Sequence, residues 1–321
     1  MNFLIVKLSS LGDVVHAMPA VQDLRAAFPR ARIDWVVERG FAPLVRRCEG
    51  VDRVIECELR RWRKAPLSAA TRQGWRAFRV ELHGRAYDAV LDLQGLTKSA
   101  LVARTARLAE GGKRYALANR TDGSSYEAPT RWVADVAVTV TPRIHAVERS
   151  RVLCARALGY AVPAALVHGL RATPAATSQR CVALVHGTSR DDKCWPADHW
   201  VALGRQLVQA GHTLGLPHGS DAEQATSVAI AAAIGPAAQV WPRMDLGALA
   251  DRLGACSGVI GVDSGLSHIA VALDRPHVQI YNFDTAWRTG PASARQRSVY
   301  AQPTPSVVQV WDAWRAVEQA P

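Results

Sequence analysis

An acid directly follows a glycine where the first apolar run of this chain gives way to a helical pattern: "NFLIV" leads into "KLSSLGDVV", residues 7–15. Asp13 can serve there in two ways. Aspartate is a favoured helix N-cap, its carboxylate accepting backbone N–H groups. A carboxylate in a crevice can also take a proton from a hydroxyl. Ser10 and Gly12 stand beside it. The glycine permits a tight turn and close approach of a ligand, and the N–H groups that open a helix favour anions.

Other short stretches carry similar options. "HGTSRDDKCWP" (186–196) offers Gly187, Thr188 and Ser189 as small donors to a phosphate, and Lys193 as a charge that can meet a diphosphate leaving group. The same residues suit a polar loop ahead of a helix opened by Pro196, with Asp191 and Asp192 capping or pairing with arginine. "GVDSGLSH" (261–268) brings Asp263, Ser264 and Gly265 to a helix N-terminus, with His268 on its first turn. Glu223, in "HGSDAE", either favours a helix dipole or binds a ribose diol. "RRWRK" (60–64) sets Arg60, Arg61, Arg63 and Lys64 around Trp62. It reads as a solvated basic face or as a clamp for phosphates and acidic sugars, with the indole at a lipid–water boundary.

Parallel sheets built from β-α units can position these loops, because short apolar runs alternate with helical patterns. In the first half the spacing predicts strands at 2–8, 32–38, 52–58 and 88–94, and helices near 14–27, 67–83, 97–108 and 145–158. The stretch 162–180, rich in Pro, Ala and Thr, reads as a linker. The pattern then restarts, with strands at 181–187, 212–219, 258–264 and 277–282 and helices near 196–210, 221–234, 245–255 and 265–273. The domains are therefore 1–165 and 166–304, and an amphipathic helix over about 305–321 is expected to pack back onto the first. The expected fold class is α/β, two Rossmann-like domains whose parallel sheets face a central cleft. Ligands bind outside the carboxyl ends of such strands, where 9–13, 94–98, 186–193, 217–223, 263–268 and 282–290 lie.

The totals agree with two soluble domains: 321 residues, 49% apolar and 21% charged, against a prior of roughly 150 residues per domain. Six cysteines show no C-x-x-C spacing, which points to reduced thiols rather than zinc or redox chemistry. No stretch reads as a signal peptide or a bilayer span. The formal charge of +11 fits an anionic partner or an arginine-rich composition. The dinucleotide fingerprint, the P-loop, H-E-x-x-H and a nucleophile elbow are absent, as is a D-x-D pair for a metal-bound nucleotide sugar.

Together, "KLSSLGDVVHAMPA", "RRWRK", "DLQGLTKSA", "HAVER", "TSRDDKCWP" and "GVDSGLSH" resemble, in order and spacing, the lipopolysaccharide heptosyltransferase I family over nearly the whole chain. The segments 113–129 and 281–291 depart from the family pattern. The resemblance implies a GT-B fold and an inverting, metal-independent glycosyltransferase with no cofactor. It implies transfer of L-glycero-D-manno-heptose from ADP-heptose to Kdo of Kdo2-lipid A, at the cytoplasmic face of a Gram-negative inner membrane, peripherally and without nucleic acid. Carried over by residue, Asp13 is the general base and Lys193 meets the diphosphate with Thr188 and Ser189. Glu223 binds ribose, and Asp263 holds heptose hydroxyls, with Ser264, Gly265 and His268 beside it. Ser10 and Gly12 fall on the donor side, and Arg60, Arg61, Arg63 and Lys64 meet the acidic acceptor. The alternatives are a same-fold heptosyltransferase or core glycosyltransferase with another acceptor, and a basic nucleic-acid-binding protein.

Overall fold

Continuous apolar runs of five to seven residues become strands buried on both faces, the pattern parallel sheets require. The computed structural model describes residues 1–173 and 180–319, and among them twelve strands are found, the central ones of this buried kind. In the first unit, Met1–Leu170, they are β1 (Asn2–Val6), β2 (Arg32–Glu38), β3 (Arg53–Cys57), β4 (Tyr87–Asp92), β5 (Leu108–Leu117) and β6 (Val136–Val138). In the second, Arg171–Pro321, they are β7 (Cys181–Val185), β8 (Thr213–Leu216), β9 (Ala238–Val240), β10 (Gly258–Val262), β11 (His277–Tyr281) and β12 (Gln296–Tyr300).

The sheet orders are β3-β2-β1-β4-β5-β6 and β12-β11-β10-β7-β8-β9, and the pairings are parallel. Renumbered within each unit, both read 3-2-1-4-5-6, the Rossmann order. The order reverses between β1 and β4 in one sheet and between β7 and β10 in the other. The segments that follow those four strands carry Asp13, Gln94, Thr188 and Asp263.

Several sequence expectations need correction. Strands β5, β6, β9 and β12 and the helix Leu59–Lys64 were not foreseen. The linker reading at 162–180 is displaced, because Leu170 bridges Cys48 within the first unit; its residues 174–179 lie outside the described residues. The C-terminal helix, Val307–Glu318, expected on the first unit, belongs to the core of the second, where Val310, Trp314 and Val317 join Val182, Leu203, Ile260 and Val278. Residues 320–321 of that expectation lie outside the described residues.

Candidate active site

The first unit builds its site around Asp13. The helix Leu11–Ala27 follows β1, and its N-cap is Ser10, not Asp13. Asp13 is the third helical residue, and its Oδ2 accepts the Ser10 backbone N–H at 3.2 Å and the Ser10 hydroxyl at 3.0 Å, a capping-box arrangement. Gly12 lies within the first helical turn and not at the bend before it. The bend is held by Gln94, whose Oε1 accepts from the backbone N–H of Leu8 and Ser9 at 3.0 and 3.1 Å.

Two cations meet the other carboxylate oxygen. Lys7 Nζ lies 3.4 Å and Arg149 Nη2 3.3 Å from Asp13 Oδ1. Lys7, 1% exposed, also donates to the Leu93 carbonyl at 3.0 Å. Arg149 comes from the helix Ala146–Leu158, which lies along Leu11–Ala27 and is pinned to it by the buried Asp23–Arg151 pair. Burial alone would raise the Asp13 carboxyl, but Lys7, Arg149 and the Ser10 hydrogen bonds outweigh it and hold it at about 2. Burial brings Lys7 down to about 8, with Asp13 opposing that shift and Arg149 adding to it. Asp13 keeps a side chain 34% exposed, so an ionised carboxylate remains open to a ligand. Lys98, on the helix after β4, reaches Ser9 Oγ at 3.0 Å. Lys7, Gln94, Lys98 and Arg149 were not singled out from sequence; their partnerships span most of the first unit.

Arg60, Arg61, Arg63 and Lys64 lie on the helix Leu59–Lys64, all exposed. Arg61 pairs with Glu58 at 3.0 Å, and the Arg60 N–H donates to Glu38 at 3.2 Å. Trp62 is not at a lipid–water boundary: it is 7% exposed and packs edge-on against Trp75 with centroids 5.6 Å apart.

The second unit centres on Asp263, after β10. Its Oδ2 pairs with Lys193 Nζ at 2.5 Å. Its Oδ1 accepts from Gln279 Nε2 at 3.3 Å and Thr289 Oγ1 at 3.3 Å, with His268 Nε2 at 3.5 Å. Burial would raise this carboxyl, yet His268 and Lys193 hold it well below the usual carboxylate range. Thr188 Oγ1 reaches the Asp263 carbonyl at 3.5 Å, while Ser189 is exposed. Arg190 pairs with Asp192, as the loop sequence allowed. Ser264 caps the helix Gly265–Ala272, and its buried Oγ has no hydrogen-bond partner among the described residues. A buried hydroxyl left without a partner calls for an explanation, and a bound polar ligand is one. Gln279, on β11, and Thr289, at the end of the short helix Ala286–Thr289, were not predicted.

Glu223 stands on the first turn of Asp221–Ile234, under a Ser220 cap, and accepts the Gly219 N–H at 2.6 Å. A Cβ on Gly187 would lie 2.8 Å from the Glu223 carboxyl carbon, so the glycine brings the β7 loop against that acid. His186 donates or accepts at Ser227 Oγ, 2.7 Å away, and burial lowers its affinity for a proton. The unit thus presents small donors, one ammonium, two carboxylates and a helix N-terminus, the equipment for a sugar on a nucleoside diphosphate.

Residues 75–310 match glycosyltransferase family 9 (heptosyltransferase). The chain is a family 9 glycosyltransferase. This heptosyltransferase is 40% identical to lipopolysaccharide heptosyltransferase 1 of Escherichia coli K12 over 88% of each chain. It superposes on the E. coli heptosyltransferase WaaC with ADP at a TM-score of 0.86 and 35% identity, covering 99% of this chain and 98% of that one. It also matches WaaC with ADP-2-deoxy-2-fluoro heptose at a TM-score of 0.82, with the same identity and coverage. The family 9 enzyme therefore has the GT-B-like α/β fold that the sequence resemblance implied.

Proposed function

We propose that this heptosyltransferase moves L-glycero-D-manno-heptose from ADP-heptose to a Kdo hydroxyl of Kdo2-lipid A, in lipopolysaccharide inner-core synthesis, with inversion at the anomeric carbon. The observation that carries this reading is the Asp13 carboxylate: ionised, open to solvent on one side and anchored through both oxygens. Held at about 2, it is a weak base toward a resting alcohol. It need not be stronger. As the acceptor oxygen bonds to the anomeric carbon, its proton becomes acidic and passes to Asp13. The anomeric bond to the diphosphate oxygen breaks with its electron pair, and ADP leaves.

Lys193 supplies positive charge to the departing diphosphate, with Thr188 and Ser189 as hydroxyl donors, so no resident metal or cofactor is required in this scheme. Glu223 takes the ribose hydroxyls. Asp263, Ser264 and His268 hold the sugar near the Gly265–Ala272 N-terminus. Arg60, Arg61, Arg63 and Lys64 meet the acidic acceptor, and the enzyme works from the cytoplasm at the inner membrane of a Gram-negative bacterium. Incubation with ADP-heptose and Kdo2-lipid A should release ADP and add one heptose mass to the lipid. Transfer to a heptosylated core but not to Kdo2-lipid A would replace the acceptor assignment.

A further inference from the structure

The helix Ala69–His83 carries a second set of cations, outside those assigned to either substrate. At about 100° per residue, Arg72, Arg76, Arg79 and His83 fall on one narrow stripe. The three arginines are exposed, while Phe78 and Leu82 face the core. Arg72, Trp75, Arg76, Arg79, Val80 and His83 line an open groove of about 570 Å³. Two aliphatic side chains of this segment are also exposed: Leu67, 84%, just before the helix, and Val80, 71%, on it.

The helix Leu59–Lys64 is locked to this one through Trp62, whose ring lies 5.6 Å from Trp75 and 5.8 Å from Phe78. Its cations therefore belong to the same rigid piece. Across the two helices, seven Arg and Lys side chains are set against Glu81 and against Glu58, the N-cap residue of the first helix, which pairs with Arg61. That charge complements an anionic surface. The apolar part favours a lipid over a nucleic acid: Trp62 is buried and Trp75 partly buried, which leaves no broad aromatic face for a base, whereas exposed Leu and Val suit the interfacial layer of a bilayer.

We propose that this two-helix surface seats the protein on an anionic phospholipid bilayer, with Arg72, Arg76 and Arg79 at headgroup phosphates and Leu67 and Val80 in the interfacial layer. The purpose of the docking rests on the acceptor being a membrane lipid; the docking itself needs no acceptor. Each basic side chain at an anionic surface is worth about 1 kcal/mol, or roughly fivefold in partition.

The test is co-sedimentation of the full chain with acceptor-free vesicles, either phosphatidylcholine alone or phosphatidylcholine with phosphatidylglycerol. Wild-type protein should partition onto the anionic vesicles and be released by salt. Joint replacement of Arg72, Arg76 and Arg79 by Gln should lower partition on the order of 100-fold, with ADP affinity unchanged as the check on folding. Leu67→Ser with Val80→Ser should weaken the salt-resistant fraction. Equal binding to both vesicle types, wild-type partition by the triple variant, or displacement by single-stranded RNA at equal charge would overturn the proposal. Failure of the transfer assay would leave these vesicle measurements standing and refute only the acceptor reading.

Discussion

Lys193 and Asp263 form an ion pair, Nζ to Oδ2 at 2.5 Å, between the loop after β7 and the loop after β10. The ammonium is thus fixed at the switch point of the second sheet, beside the groups assigned to the sugar. Asp263 also keeps Gln279, Thr289 and His268, so losing Lys193 leaves the acid anchored. Lys193→Ala is expected to lower kcat on the order of 100-fold, about 3 kcal/mol of transition-state stabilisation, with a small change in melting temperature. Arg should restore only part, because its planar fork differs from a compact ammonium. Wild-type turnover in the Ala variant would remove Lys193 from the chemistry.

Asp13→Asn preserves size and removes the carboxylate proposed as the base. Turnover should fall roughly 10²–10⁴-fold while ADP affinity is retained. From sequence alone, melting temperature is expected to hold. The structure changes that expectation, because Lys7 and Arg149 lose their anionic partner. The stability cost at neutral pH is on the order of 1–2 kcal/mol, discounted for the partial exposure of Asp13. The folded-state value near 2 lies below an unfolded value of about 4. The contribution is therefore present above about pH 4 and lost as pH falls through 2. Thermal melts of the two proteins should differ at pH 7 and converge in acid; normal turnover in a folded Asn variant would leave Asp13 a capping residue.

Lys7→Met tests what keeps Asp13 ionised. With one cation gone, the Asp13 carboxyl should move from about 2 toward its ordinary value near 4. The acid limb of the kcat/KM profile should shift upward with it. Lys7 itself, lowered to about 8, loses its charge on the alkaline side, so the wild-type profile should carry an inflection there that the Met variant lacks. Superimposable profiles would show that Lys7 only packs.

Gly187→Ala probes Glu223, the acid proposed for ribose, without replacing it. The new methyl would meet the Glu223 carboxyl carbon at 2.8 Å, and that flexible end can swing away. Stability should change little, whereas ADP affinity should drop about tenfold by calorimetry, the worth of a charged hydrogen bond. Unaltered affinity would separate Glu223 from the nucleotide.

The central strands were legible because they are apolar throughout. β7 and β10 are five buried residues each, and a helix pattern follows both. β5 was hidden by its own composition: "LAEGGKRYAL" holds two glycines and three charges, and it shifts register against β4 between Tyr87 and Ala89. β6 and β9 have three residues each, too few for a period. Asp13, Lys193, Glu223 and Asp263 could be picked out because each sits in a polar stretch that follows an apolar run. Lys7 and Arg149 gave no such signal. A lysine ending a strand and an arginine inside a helix are ordinary until a fold brings positions 142 residues apart onto one carboxylate oxygen.

Trp314 of the C-terminal helix fills the space left by the missing side chain of Gly258, where a Cβ would stand 2.5 Å from its ring. The strand that presents Asp263 thus rests on residues made some fifty positions later. On a ribosome the first unit has its whole sequence available long before, and domains generally fold as units in the order they emerge. The second cannot close its core until Val307–Glu318 has left the exit tunnel. During synthesis the first unit can therefore be folded while the second is still open, and that second unit is the one exposed to chaperones, proteases and premature termination.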